Sequence, residues 1–162
     1  MSVALSVAFG LRRNRLTLLA GVAALAVASP AWADATPDCN DGASAGSTEC
    51  GSGSTTGVAT NATAVGGNAT ATGTNGTAGG NNSSATGLFS TSYGQGAAAT
   101  GTSTVALGSL TVASQIGATA VGPFAIADQA GATAFGFSAE AHGPNSVALG
   151  PNAGATQTNT LA

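Results

Sequence analysis

From residue 57 onward, small, apolar and polar positions alternate in short runs that recur every seven residues, most of them closed by glycine or glutamine. One set reads small, Thr or Val, Ala, apolar, Gly, as in Ala118-Thr119-Ala120-Val121-Gly122, Ala132-Thr133-Ala134-Phe135-Gly136 and Ser146-Val147-Ala148-Leu149-Gly150. The other reads Ala-x-Ala-x-Gly/Gln, as in Ala125-Ile126-Ala127-Asp128-Gln129 and Ala139-Glu140-Ala141-His142-Gly143. The two sets take turns, so the full period is fourteen. Glycine stands at every fourteenth position: Gly66, Gly80, Gly94, Gly108, Gly122, Gly136 and Gly150. The slot halfway between holds Gly73, Gly87, Gly101 or Gly143, and elsewhere Gln115, Gln129 or Gln157. A period this strict means one small unit stacked on copies of itself.

Each half-repeat is long enough for one short strand, with glycine freeing the backbone for the turn. Pro123, Pro144 and Pro151 all fall in the connections, where the lost N–H does least harm. Glycine every seven residues and abundant threonine argue against helix. The pattern therefore predicts an all-β solenoid of parallel coils. Strand alternation then assigns faces. In the first half-repeat Val121, Phe135 and Leu149 share a face with Thr119, Thr133 and Val147, and that face is expected inside. In the second half Asp128, Glu140 and His142 need water, so Ala127 and Ala141 point in. The expected core is a thin coil in which a large side chain from one wall meets alanine from the other. Between Gly66 and Gly87 nothing exceeds Asn or Thr in size. Those coils are expected to be marginal, and the coils after Tyr93 well ordered.

Charge changes the picture at the amino terminus. All three basic residues, Arg12, Arg13 and Arg15, precede the apolar run Leu16 to Val27, which leads to Ala31-Trp32-Ala33. A basic patch, a short apolar segment and an A-x-A site predict a secretory signal peptide over 1–33, cleaved before Asp34. Twelve apolar residues are too few to span a bilayer, which needs about 20. The mature chain, Asp34 to Ala162, then has six carboxylates, no Lys or Arg and no membrane-spanning segment. Nothing in it can displace counterions from nucleic acid, and an anionic membrane surface is equally unsuited. Residues 34–56 read as a Gly/Ser/Thr-rich linker, 57–157 as the repeats and 158–162 as a tail. Cys39 and Cys50, in an exported chain, are expected to close a local disulfide loop.

Chemical equipment is sparse. His142 is the sole histidine and is expected on the surface. No serine comes with a base and orienter, so catalysis is not expected. Asp128 and Glu140 fall on one wall and are read as exposed acids rather than a working carboxylate pair. No cofactor is implied: the glycine-rich stretches lack a Walker lysine and a Rossmann pattern. The stretch Asp38-Cys39-Asn40-Asp41-Gly42 lacks EF-hand spacing, and two cysteines without a nearby histidine make no zinc site, so no metal is expected. Asn-x-Ser/Thr sequences at Asn61, Asn68 and Asn75 are ordinary in an Asn- and Thr-rich repeat.

The run Asn145-Ser146-Val147-Ala148-Leu149-Gly150, with Thr104-Val105-Ala106-Leu107-Gly108 in the same register, resembles the head of YadA-like trimeric autotransporter adhesins. Ser138-Ala139-Glu140-Ala141-His142-Gly143 is similar to the second half of that head's repeat. The resemblance covers about residues 57 to 157 and rests on seven repeats in register. It implies a left-handed parallel β-roll, three of which associate side by side. In that frame Gly66, Gly80, Gly94, Gly108, Gly122, Gly136, Gly150, Val121, Phe135, Val147 and Leu149 are structural repeat residues. A core of Ala, Thr and Val with few aromatics independently favours trimerisation, because small domains of this kind gain little from burial alone. No neck motif, heptad stalk or membrane-spanning β-strands follow the last coil. The expectation is either a truncated adhesin or a free-standing exported head.

The function implied is adhesion at the surface or outer membrane of a Gram-negative bacterium, or outside the cell. The partner would be a host extracellular-matrix or cell-surface protein, or a sister adhesin, bound by many weak repeated contacts. Two alternatives are an ice-binding solenoid, which needs regular threonine columns on a flat wall, and an inert structural spacer.

Overall fold

The computed structural model describes residues 39–42 and 44–162. The expected signal peptide, 1–33, lies outside the described residues. Among the described residues the chain forms fifteen short strands: β1 (Cys39–Asp41), β2 (Thr48–Cys50), β3 (Thr63–Val65), β4 (Thr77–Gly79), β5 (Ser84–Ala85), β6 (Thr91–Tyr93), β7 (Ala98–Ala99), β8 (Val105–Leu107), β9 (Val112–Ala113), β10 (Thr119–Val121), β11 (Ile126–Ala127), β12 (Thr133–Phe135), β13 (Glu140–Ala141), β14 (Val147–Leu149) and β15 (Gly154–Ala155). A long sheet runs β1-β2-β3-β4-β6-β8-β10-β12-β14, and a shorter one β5-β7-β9-β11-β13-β15. Consecutive strands alternate between the sheets after β4, so the chain winds as a parallel β-solenoid. The register is one repeat: Thr119, Ala120 and Val121 face Thr133, Ala134 and Phe135, and Ile126 and Ala127 face Glu140 and Ala141. The first coil is one residue longer, pairing Thr48 with Thr63 and Thr55 with Thr70.

Tight turns set the thickness of this solenoid. Four residues connect β10 to β11, Gly122-Pro123-Phe124-Ala125, closed by a hydrogen bond from the Ala125 N–H to the Gly122 carbonyl (3.1 Å). Phe124 has φ 61°, the left-handed conformation that a type II turn requires at its third position, and proline suits the second. The same slot recurs every seven residues with positive φ: Asn61, Asn68, Asn75, Asn82, Phe89, Gly96, Ser103, Leu110, Gly117, Phe124, Gly131, Ser138, Asn145, Asn152 and Asn159. The invariant glycine column opens alternate turns. Gly66 has φ 131°, and a Cβ there would sit 2.6 Å from the Gly80 carbonyl oxygen of the next coil. The glycines of the half-period slot, such as Gly101 and Gly143, lack that positive φ, and glutamine stands in the same slot at Gln115, Gln129 and Gln157.

So short a connection holds the walls too close for large side chains, and only small residues fit between them. Each coil contributes four inward positions; for one coil these are Ala118, Ala120, Ala125 and Ala127, all fully buried. In the middle coils Ser90, Ser92, Thr104 and Thr111 take some of these places. Their hydroxyls donate to backbone carbonyls at 2.6, 2.8, 2.7 and 2.8 Å, which makes their burial tolerable.

This arrangement corrects the face assignment of the first half-repeat. Val121, Phe135, Val147 and Leu149, with Thr119 and Thr133, point outward, while Ala120, Ala134 and Ala148 between them are buried. Alternation is symmetric about a strand and permits either face; wall spacing decides for alanine. Ala127 and Ala141 point inward, as expected. The contrast expected between the two halves is also absent from the core. Coils from Ala62 to Ala85 bury the same kind of small residues in the same ladder.

The ends of the linker and tail segments also differ from expectation. Strand β2 pairs in parallel with β3, so coiling already starts within 34–56. The other end stays in the ladder too: the Leu149 N–H donates to the Ala162 carbonyl (2.8 Å), and the Val147 N–H to that of Thr160 (2.7 Å). Strand β1 runs antiparallel to β2, and a disulfide joins Cys39 to Cys50 across this hairpin. The hairpin covers what would otherwise be an open sheet edge.

Candidate functional site

With the interior filled by methyl and hydroxyl groups, anything the molecule recognises must meet its outer walls. The two walls differ sharply. The long sheet, from β3 to β14, presents two outward columns. One is Thr63, Thr77, Thr91, Val105, Thr119, Thr133 and Val147; the other is Val65, Gly79, Tyr93, Leu107, Val121, Phe135 and Leu149. None of these residues is charged. Tyr93, Phe135 and Leu149 are 60 %, 55 % and 54 % exposed, an unusual concentration of large apolar groups facing water in one column. Glycine at position 79 leaves room that the Tyr93 ring covers.

The shorter sheet presents Ser84, Ala98, Val112, Ile126, Glu140 and Gly154 in one column, and Thr86, Thr100, Ser114, Asp128, His142 and Thr156 in the next. The fourteen-residue register brings Asp128 beside His142. The imidazole lies between two carboxylates, with Nδ1 2.9 Å from Asp128 Oδ2 and Nε2 3.3 Å from Glu140 Oε2. The hydrogen bond that His142 donates to Asp128 raises its pKa most, partial burial opposes it, and Glu140 adds to the rise. Only the doubly protonated ring can donate to both acids at once. The residue expected as a free surface histidine is thus held in place, and the two acids meet through it rather than as a pair. Asp128 Oδ1 is buried without a partner. Among the described residues no group of histidine, cysteine and carboxylate side chains could hold a metal ion.

The turn edges form a third surface. Phe124 and Phe137 meet edge to face with ring centroids 5.8 Å apart, and both stay about half exposed. Leu110 precedes Phe124 in the same edge column. On the amino-terminal coils the Phe124 column carries asparagine, with Asn68 donating to Asn82 (3.4 Å), and on the opposite edge Asn61 donates to Asn75 (3.3 Å). Sequence reasoning missed this edge, although asparagines at seven-residue intervals were visible at both ends of the repeat.

Glu49 occupies an inward register position, opposite Ala64, at the first coil. Its Oε1 accepts from the Thr56 N–H (2.6 Å) and the Thr56 hydroxyl (2.8 Å), and these bonds, the backbone one foremost, lower its pKa. The two bonds from Thr56 satisfy the carboxylate at this place.

Comparison with known proteins agrees with this architecture. Among curated proteins none matches the chain significantly. A solved structure titled as the collagen-binding domain of the Yersinia adhesin YadA is similar in fold, with a TM-score of 0.57 at 23 % identity over 77 % of this chain and 69 % of that one. The YadA head domain repeat matches residues 59–83, 85–111, 113–139 and 141–162, more than half of the sequence. The chain therefore belongs to the family of YadA head domain repeats.

Proposed function

We propose that this chain is a non-enzymatic adhesin head, exported to the surface of a Gram-negative bacterium, whose long-sheet walls pack together in a homotrimer. The observation that carries the reading is the uncharged wall of Tyr93, Leu107, Val121, Phe135 and Leu149. A solenoid with an all-small core gains little from its interior, and burying this wall supplies the missing apolar area. Packing three such walls inward leaves the shorter sheets and the turn edges facing out for contact with a matrix protein, a host cell surface or a sister adhesin. Repeated weak contacts on three copies then add by multivalency. The related Yersinia domain is described as collagen-binding, which makes collagen the first partner to test.

The ice-binding alternative gains nothing from the wall: its threonine column stands beside Tyr93, Leu107 and Phe135, whose relief breaks any flat grid of hydroxyls. The decisive experiment is sedimentation of the purified chain and of Phe135→Asp with Leu149→Asp, followed by solid-phase binding to collagen and other matrix proteins. The expected result is a trimer that binds, and a variant that is monomeric and binds weakly. A wild-type monomer overturns the assembly, and a trimer that binds no surface leaves an inert spacer.

A further inference from the structure

One patch outside the apolar wall combines aromatic rings with carboxylates. Phe124 and Phe137 stand on the turn edge of two adjacent coils. Along the same coils the shorter sheet carries Ile126 and Asp128 in one, and Glu140 and His142 in the next. His142 contacts both acids, Asp128 at 2.9 Å and Glu140 at 3.3 Å, and Glu140 is the more exposed of the two, at 52 % against 37 %. Glu140 lies three residues beyond Phe137, at the start of the strand that follows the same turn.

We propose that this patch binds an arginine-bearing, apolar segment of a partner protein. A guanidinium is planar and weakly hydrated; it stacks on an aromatic face and pairs with a carboxylate in the same approach. Phe124 and Phe137 supply the faces, Glu140 the charge and Ile126 the apolar floor for a flanking side chain. The described residues contain no Lys or Arg that could fill this role from within. A second copy of the chain is the wrong occupant, because its described residues offer no Lys or Arg to this patch in any arrangement of the copies. The inference rests on the adhesive reading and names the chemistry of one of its partners.

Phe124 also provides a clean variant. Its left-handed slot holds asparagine at Asn68, Asn82 and Asn152 in the same edge column, so Phe124→Asn removes the ring while installing a residue the turn accepts. The probe is a synthetic peptide of alternating Leu and Arg, with counterparts carrying Gln for Arg or Ser for Leu, read by fluorescence polarisation. Wild type is expected to bind the Leu-Arg peptide, more weakly as salt rises. Phe124→Asn and Glu140→Gln should each weaken it by about tenfold, with sedimentation unchanged. Failure of wild type to bind, equal binding of the Gln peptide, or unaltered binding by Phe124→Asn overturns the proposal. Loss of the oligomer in Phe124→Asn overturns it too, by assigning the edge to the subunit seam. Collagen binding by the same samples is read separately, so the adhesive reading can stand when this one falls.

Discussion

Coils near the amino-terminal end, around Ala64 to Ala85, and coils near the other end, around Ala118 to Ala141, are alike inside and unlike outside. Both bury four small residues per coil in the same register. Outside, the first set carries Asn61, Asn68, Asn75 and Asn82 on its edges with Thr70, Thr72, Ser84 and Thr86 on the shorter wall. The second set carries Phe124, Phe137, Ile126, Asp128, Glu140 and His142. The lesson is that core and surface are decoupled here. The backbone ladder and the alanine columns hold the coil, and the outer residues are free to specialise coil by coil.

The largest expected effect tests whether the two cores are equivalent. Ala134→Leu and Ala78→Leu both place a branched side chain where the opposing wall leaves space for a methyl group. Each should cost about 3 kcal/mol or more, beyond ordinary overpacking, because neither wall can move without breaking its ladder. Chemical denaturation measures this. If Ala78→Leu were tolerated while Ala134→Leu unfolded the chain, the amino-terminal coils would be looser than their shared register implies. Phe135→Ser, on the neighbouring outward position, should cost the isolated subunit much less.

The next effect separates the edges. Asn82→Phe gives up a residue suited to φ 54° and its contact with Asn68, and gains no burial in return. It should destabilise by about 1 kcal/mol. The reverse exchange, Leu110→Asn, relieves a strained backbone but loses a half-exposed side chain, and should lie within about 1 kcal/mol of neutral. A Leu110→Asn melting point at or above that of the wild type would show that the apolar edge residues are not kept for stability. A loss on Leu110→Asn as large as that on Asn82→Phe would show that they are.

These contrasts also mark what the sequence could reveal. The fourteen-residue period, the parallel strands and the inward Ala127 and Ala141 were legible because the register repeats without slip and because charged neighbours admit one solution. The inward Ala120 and Ala134 were not. Thr119-Ala120-Val121 reads equally well from either face, and the usual rule of large apolar residues inside pointed the wrong way. The choice depends on wall spacing, a property of the turns rather than the strands. The Asp128–His142 contact was implicit in their separation of one repeat. The left-handed slot of Phe124 was not, since phenylalanine is a poor guide to positive φ.

The smallest expected effect concerns the charged coils and sets them against the amino-terminal end. His142 has its pKa raised by Asp128 and Glu140, so the folded chain holds that proton more tightly than the unfolded chain does. The stabilisation is complete below the unfolded value of about 6.5 and disappears as pH climbs through the higher folded value. Glu49 behaves in the opposite sense: its pKa is lowered by Thr56, so its contribution is present above the unfolded carboxylate range and is lost as pH falls through the lower folded value. Thermal melts across pH should therefore show a shallow decline on the alkaline side that His142→Gln abolishes, and an acid-side decline that Glu49→Gln reduces. Both groups are partly exposed, and solvent screening keeps each slope small. If His142→Gln left the alkaline decline intact, the imidazole would not be held between its two acids in solution.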